Sequence, residues 1–150
     1  MASSNPSPSP DREYDLVLFG ASSFVGKLTA EYLAGAAPSD LKVALAGRSK
    51  QKLKKVRAGL PAPADQWPIM LADSDDEDSI AQMARSARVV VTTVGPYLKY
   101  GLPLVLACAE AGTDYADLTG DALFVRRSID PAHETAPKNG ARLVHSRGSD

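Results

Sequence analysis

The stretch from Leu16 to Gly26, LVLFGASSFVG, decides the fold. It begins with four apolar residues, which suit a short strand buried on both faces. Gly20 ends this run and permits a tight turn that a side chain would obstruct. The next segment, 25–36, is long enough for a helix. A buried strand, a glycine-containing turn and a helix in direct succession predict the first unit of an α/β protein.

The same alternation continues along the rest of the sequence. Five further short and largely apolar runs are predicted strands, at 42–46, 67–72, 89–94, 115–118 and 142–145. Between the strands lie five segments long enough for crossover helices, at 25–36, 49–58, 77–87, 101–112 and 122–138. We therefore predict a Rossmann-like, doubly wound parallel sheet of about six strands with helices on both faces.

Length and composition exclude several classes of protein. The 150 residues are 44% hydrophobic and 23% charged with a net charge of −1, which excludes a chain that is disordered throughout. A net charge so close to zero gives no general reason to expect nucleic-acid binding. Cys108 is the single cysteine, which favours a reducing compartment, and no apolar run reaches the roughly 18 residues needed to span a bilayer. We therefore expect a cytoplasmic protein without a transmembrane segment.

The sequence divides into two parts. Residues 1–12 are rich in Ser and Pro and bury too little to offset their ordering entropy, so we predict a disordered tail. The tail begins with neither the basic residues nor the apolar stretch of a signal peptide. Residues 13–150 have the length of one domain. We predict that this domain binds a dinucleotide, because of its glycine-containing turn and the residues at its strand ends.

The turn has the spacing G-x-x-S-x-x-G from Gly20 to Gly26, between a strand and a helix as a dinucleotide-binding turn requires. Gly26 would let the helix pack close to the sheet, and free N–H groups at the helix start would face a pyrophosphate. Ser23 occupies the place of an expected middle glycine. Its hydroxyl can donate to a phosphate, but its side chain crowds the approach of the backbone. Ser22 and Phe24 complete the candidate cofactor-binding residues here, and the alternative is a purely structural turn.

The end of the second predicted strand distinguishes between the two nicotinamide dinucleotides. A NAD-binding domain usually places a carboxylate there to accept from the ribose 2′-OH, whereas this sequence has Arg48 followed by Ser49. A guanidinium can bind a 2′-phosphate through two charge-assisted hydrogen bonds. Lys52, Lys55 and Arg57 fit a solvated helix face more simply. The sequence therefore favours NADP over NAD.

The third and fourth predicted strands end in further candidates. Asp73 could accept a hydrogen bond from the adenine amino group, and an equally good interpretation is that it caps the next helix. Gly95 would lie near the cofactor with Tyr97 close by, because ligands bind beyond the carboxyl ends of the strands. These patterns identify no catalytic residue. They also predict no metal site, since neither His133 nor His145 has partners at metal-ligand spacing.

Four stretches together resemble the NADP-binding domain of the saccharopine dehydrogenase-like oxidoreductases. They are GASSFVG at 20–26, ALAGRS at 44–49, TTVGPYLKYGLPLVLACAEAGTDYADLTG at 92–120 and RLVHS at 142–146. Within that group the sequence is similar to the mycobacterial trans-acting enoyl reductases. The resemblance implies a Rossmann domain followed by a larger second domain. It further implies reduction of a polyketide-derived enoyl intermediate in phthiocerol-type lipid synthesis, by enzymes that can associate peripherally with membranes.

The resemblance also implies roles for particular residues. It assigns the pyrophosphate to Gly20, Ser23 and Gly26, and the 2′-phosphate to Arg48. It places three residues at the nicotinamide side, which are Gly95, Pro96 and Tyr97. The sequence departs from the group where Ser23 replaces a usual Gly and where Asp121 replaces a usual Glu.

A further departure lies after the last predicted strand, where RGSD stands in place of the group's usual Cys-Gly-Phe-Asp. We therefore expect the substrate domain to be absent and the 150-residue chain to be inactive by itself. The leading hypothesis is the cofactor domain of an NADP-dependent oxidoreductase. The alternatives are a non-catalytic NADP-binding module and an inactive remnant of such an enzyme.

Overall fold

The computed structural model describes residues 12–94, 97–117 and 143–144. A parallel sheet with the strand order β3-β2-β1-β4-β5-β6 forms its centre. The strands are β1 (Tyr14–Phe19), β2 (Val43–Gly47), β3 (Ile69–Leu71), β4 (Ala87–Thr92), β5 (Asp114–Asp117) and β6 (Leu143–Val144). The helices are α1 (Phe24–Ala36), α2 (Lys50–Ala58), α3 (Glu77–Ser86) and α4 (Tyr97–Ala111), with a 3-10 helix at Ala64–Gln66. The chain thus has the Rossmann-like α/β architecture that its sequence predicts.

The number of strands depends on the very short β6. Its two residues pair in parallel with Tyr115 and Ala116 of β5. The expectation of about six strands is met only when this segment is counted, and the described sheet otherwise has five strands of three residues or more. The helix predicted at 122–138 lies outside the described residues.

The first strand shows why helices cover both faces of the sheet. Val17 and Phe19 pack into a core formed with α3 and α4, whereas Leu18 packs into a second core formed with α1 and α2. Because successive side chains of a strand point to opposite faces, an unbroken apolar run is buried on both sides. Cys108 of α4 is fully buried in the first core, as its apolar helical pattern predicts, and this burial raises the pKa of its thiol.

Two element boundaries near the cofactor edge differ from the predictions. The strand β4 ends at Thr92, two residues earlier than predicted, which leaves Thr93 and Val94 in the connection beyond it. The helix predicted from residue 101 begins at Tyr97. The connection between β4 and α4 is therefore short, and it lies at the same edge of the sheet as the glycine-containing turn.

Arg12, the last residue of the predicted tail, contacts the described domain. The predicted tail includes Arg12, but the guanidinium of this residue is anchored among the carboxyl-terminal ends of α3 and α4, where a cation interacts favourably with the helix dipoles. Its hydrogen-bond acceptors are the carbonyl oxygens of Ala84, Arg85, Ala87 and Ala111 and the hydroxyl of Thr113. Arg12 is therefore held by the described domain, and residues 1–11 lie outside the described residues.

Candidate functional site

The carboxyl ends of β1, β2, β3 and β4 surround a cavity of about 580 Å³. In an open α/β sheet this edge is where ligands bind, and the volume is typical of a small-molecule site. Within the described part of the chain, six predicted site residues line the cavity: Gly20, Ser22, Ser23, Arg48, Ser49 and Asp73. The topology therefore brings together candidates from three separate connections.

Residues 20–26, the glycine turn, are constrained by close contacts of the backbone. Gly20 has a φ of +86°, in the left-handed region that favours glycine, and a Cβ there would lie 2.7 Å from Thr93 Oγ1. A Cβ on Gly26 would lie 2.0 Å from the carbonyl oxygen of Gly20. Gly26 does not line the cavity, but its missing side chain lets the first turn of α1 lie directly against the end of β1.

Ser23 is the N-cap of α1, a role that the glycine spacing did not reveal. Its Oγ accepts a hydrogen bond from the Gly26 amide at 2.9 Å and donates to the Gly20 carbonyl oxygen at 2.9 Å. The hydroxyl proton is thus directed into the turn, and its donation to a phosphate stays a prediction. In the described part of the chain, the amides of Phe24 and Val25 have no acceptor. Because the first amides of a helix bind anions, these two are the helix N-terminal donors that the turn offers.

The end of β2 and the first turn of α2 form the basic corner, residues 47–52. Arg48 is exposed and lines the cavity, and Ser49 caps α2 by accepting a hydrogen bond from the Lys52 amide at 3.3 Å. Lys52 also lines the cavity, whereas sequence reasoning assigned it to a solvated helix face. Its place in the first turn of α2, directly after the Ser49 cap, was the available signal, because the start of this helix lies at the carboxyl edge of the sheet where ligands bind. Two cations and a hydroxyl therefore border this part of the cavity.

The connection after β3 bears on one of the two interpretations of Asp73, the helix cap. The carboxylate of Asp76, not that of Asp73, caps α3 by accepting from the amides of Asp78 and Ser79 at 3.1 and 3.3 Å. Asp73 lines the cavity, and its Oδ1 accepts from the Asp75 amide at 2.9 Å. Its own amide donates to Ser79 Oγ at 3.0 Å, which ties the connection to α3. Asp73 is thus held beside the basic corner by the loop.

Other sequence candidates lie outside this cavity or outside the described residues. Phe24 is 79% exposed and does not line the cavity, which leaves its amide at the start of α1 as its one candidate donor. Gly95 and Pro96 lie outside the described residues, as do His133 and His145, and Tyr97 is described only as the first residue of α4. Among the described side chains no group of three or more could hold a metal ion. None of the helices in the described ranges is long and apolar enough to cross a membrane.

A parallel sheet with this strand order, a glycine turn leading into α1 and a cavity at the strand ends define a nucleotide-binding α/β domain. Residues 16–144 match the family model of the saccharopine dehydrogenase NADP-binding domain. The chain belongs to this family, and its cofactor is NADP. This result confirms the resemblance drawn from the four sequence stretches.

Curated relatives with high identity carry the name of an enoyl reductase. A Mycobacterium tuberculosis protein, named as a candidate trans-acting enoyl reductase, is 58% identical over 139 residues, which are 93% of this chain and 33% of that protein. The trans-acting enoyl reductase of Mycobacterium leprae is 54% identical over 143 residues, which are 95% of this chain and 34% of that protein. The chain thus spans about a third of the length of the curated relatives it matches.

Solved structures share the fold at much lower identity. The apo saccharopine dehydrogenase (L-Glu forming) of Saccharomyces cerevisiae superposes with a TM-score of 0.70 at 19% identity, covering 89% of this chain and 27% of that chain. The triphenylmethane reductase of Citrobacter sp., complexed with NADP(H), gives a TM-score of 0.64 at 14% identity, covering 87% and 48%. Both likenesses support the Rossmann-like assignment of the sheet.

Proposed function

We propose that this chain is the NADPH-binding part of an oxidoreductase of the enoyl reductase type, and that it selects NADPH over NADH. The observation that carries the proposal is the cavity joining the glycine turn to the basic corner. The turn offers helix N-terminal amides to a pyrophosphate, and the corner offers two cations to a phosphate ester. NADPH carries both groups, whereas NADH lacks the second.

The 2′-phosphate would bind at the basic corner. Arg48 can form two charge-assisted hydrogen bonds with it, Lys52 adds a second positive charge, and Ser49 can donate its hydroxyl proton. A hydrogen bond to a charged group contributes about 1.5–3 kcal/mol, which corresponds to roughly 10- to 150-fold in affinity. We therefore expect the chain to bind NADPH at least about tenfold more tightly than NADH.

The adenine, the pyrophosphate and the nicotinamide of the cofactor each have a proposed position. The adenine amino group would donate to the carboxylate of Asp73, which lines the cavity after β3. The pyrophosphate would accept from the amides of Phe24 and Val25. The nicotinamide side stays assigned to Gly95, Pro96 and Tyr97 through the resemblance alone.

Calorimetric titration with NADPH and NADH tests the selectivity. Lys52→Gln tests the contribution of Lys52, which the sequence analysis had not assigned to the site. Lys52→Gln should weaken NADPH binding by about three- to tenfold and leave NADH binding within about twofold. Lys55→Gln is the matched control, because Lys55 is exposed on the same helix and does not line the cavity. It should leave both affinities within about twofold, since solvent screens its charge. Equal affinity of the unmodified chain for the two cofactors would refute the selectivity.

The substrate class follows from the relatives and needs its own experiment. We infer that the complete enzyme reduces the double bond of a lipid or polyketide-derived enoyl thioester, in the cytoplasm or at a membrane surface. A chimera in which this chain replaces the matching third of the Mycobacterium leprae relative should retain NADPH-dependent reduction of an enoyl thioester. A folded chimera that binds NADPH but reduces no enoyl substrate, while the intact relative does, would contradict the assignment.

The 150-residue chain itself should bind NADPH without turnover. Hydride transfer needs the acceptor carbon held about 3–3.5 Å from the nicotinamide, and such positioning supplies much of the rate. The relatives that carry the enoyl reductase name are about three times as long as the matched segment. Steady NADPH oxidation with a short-chain enoyl thioester, lost in Gly20→Val, would show that the chain is an enzyme in its own right. Binding without turnover is also what the non-catalytic module predicts, so the chimera separates the two hypotheses.

A further inference from the structure

Thr93 contacts the glycine turn from the connection that follows β4. Its amide donates to the carbonyl oxygen of Phe19 at 3.0 Å, which continues the pairing of β4 with β1 by one residue. Its hydroxyl donates to the carbonyl oxygen of Gly20 at 3.0 Å and lies 3.2 Å from Ser23 Oγ. Thr93 lies 73 residues after Gly20 in the chain, and it therefore ties the turn to the end of a distant strand, β4.

The carbonyl oxygen of Gly20 is the point where these contacts meet. It accepts from the Ser23 amide at 3.0 Å, from the Ser23 hydroxyl at 2.9 Å and from the Thr93 hydroxyl at 3.0 Å. A Cβ on residue 20 would lie 2.7 Å from Thr93 Oγ1, so the hydroxyl reaches the turn only because residue 20 is glycine. The same oxygen is the atom nearest to a Cβ built on Gly26. Its position therefore sets how the turn meets the first residues of α1.

We propose that Thr93 is a positioning residue for pyrophosphate binding, because it fixes the Gly20 carbonyl and thereby the place of the Phe24 and Val25 amides. This inference rests on the proposed function, since it assumes that the pyrophosphate binds at the start of α1. Ser23 holds the turn mainly from within, because its hydroxyl bonds to Gly20 and Gly26 of the same segment. Thr93 attaches the turn to the neighbouring strand β4. Ser23, at the middle position of the glycine spacing, cannot supply that attachment.

Removal of the Thr93 hydroxyl should change binding more than folding. The Gly20 carbonyl oxygen keeps the two hydrogen bonds from Ser23, so no buried acceptor is left without a donor. The turn loses its preorganisation relative to β4, and a ligand that binds its amides must then order it. The loss of one neutral hydrogen bond corresponds to about three- to tenfold in affinity.

Three ligands separate the two phosphate subsites in a calorimetric test. NADP⁺ has both groups, ADP has the pyrophosphate alone, and adenosine 2′-monophosphate has the 2′-phosphate without a pyrophosphate. Thr93→Val should weaken binding of NADP⁺ and ADP by about three- to tenfold and leave the affinity for adenosine 2′-monophosphate within about twofold. Thr93→Ser keeps the hydroxyl and should restore the affinity of the unmodified chain for all three ligands.

The control is Thr29→Val, because the Thr29 hydroxyl also donates to a backbone carbonyl oxygen, that of Val25 at 2.8 Å, but the residue does not line the cavity. It should leave all three affinities unchanged. Unchanged ADP binding by Thr93→Val, or an equal loss for adenosine 2′-monophosphate, would overturn the positioning role. If the unmodified chain bound NADP⁺ but not ADP, pyrophosphate recognition at α1 would be wrong, and the inference with it. Failure of the unmodified chain to bind any of the three would refute the proposed function itself.

Discussion

The glycine turn and the basic corner are both strand-to-helix connections at the same edge of the sheet, and in each a serine caps the helix. They differ in how tightly the backbone is held. A Cβ on Gly20 or Gly26 would lie 2.7 or 2.0 Å from its nearest atom, whereas a Cβ on Gly47 would lie 3.4 Å from the end of the Leu53 side chain. The proposed function makes the first connection bind through its backbone, which tolerates little change. It makes the second bind through exposed side chains, which would select the cofactor without determining the fold.

The largest expected effect is that of Gly26→Ala. Its Cβ would meet the backbone of the turn, which cannot move without displacing the start of α1, so we expect a loss of about 3 kcal/mol or more in unfolding free energy. Gly35→Ala is the matched control in the same helix, since no atom lies within 4 Å of the added Cβ. It should stabilise the chain by up to about 1 kcal/mol, because Ala is the better helix former. Urea unfolding measures both, and equal effects would refute the close-packing argument.

Gly20→Ala should have the next largest effect. The left-handed φ and the contacts of a Cβ with Thr93 and Val94 together should cost about 2–3 kcal/mol of unfolding free energy. Gly47→Ala at the corresponding place in the basic corner should change stability by less than about 1 kcal/mol, because the nearest neighbour of its Cβ is a flexible side-chain end. If thermal unfolding showed the two variants to be equally destabilised, the distinction between the two connections would fail.

Arg48→Glu tests the basic corner by its effect on binding, whereas the glycine substitutions test stability. It should alter cofactor binding without altering the fold. The exposed guanidinium makes no packing contribution to either core. We expect the preference for NADPH over NADH, of roughly 10- to 150-fold, to be abolished or reversed, because the introduced carboxylate repels the 2′-phosphate and accepts from a ribose hydroxyl. Lys54→Glu makes the same charge change on α2 outside the cavity and should leave the preference in place. A preference retained in Arg48→Glu would show that Arg48 does not bind the 2′-phosphate.

The parts of the fold and of the site that the sequence could predict are those determined by neighbouring residues in the chain. The unbroken apolar run before Gly20 and the spacing to Gly26 are local features, and they were sufficient to predict β1, the turn and α1. Arg48 could be assigned to the cavity because it stands directly after a predicted strand, where a NAD-binding domain would carry a carboxylate. In these cases the chemistry lies within a few neighbouring residues of the chain.

The features that sequence reasoning missed depend on contacts between distant segments. Thr93 reaches the turn only because β4 pairs beside β1, and a predicted strand that ran to residue 94 concealed its role. Arg12 falls in the predicted tail, although its partners come from the ends of α3 and α4. No local pattern encodes such contacts, since they arise from the order of strands in the sheet.

The smallest expected effect concerns Ser23, whose residue type departs from the glycine spacing. Ser23→Ala removes the cap of α1 and should cost about 1 kcal/mol of unfolding free energy, whereas Ser23→Gly should cost only a few tenths. NADPH affinity of Ser23→Gly should be unchanged or slightly higher, because the hydroxyl is directed into the turn and the removed side chain opens the approach to the backbone. Ser49→Ala provides the comparison in the basic corner, where the loss should fall on NADPH and not on NADH. If Ser23→Gly weakened NADPH binding by more than about tenfold, the Ser23 hydroxyl would have to turn outward and bind a phosphate when the cofactor is present.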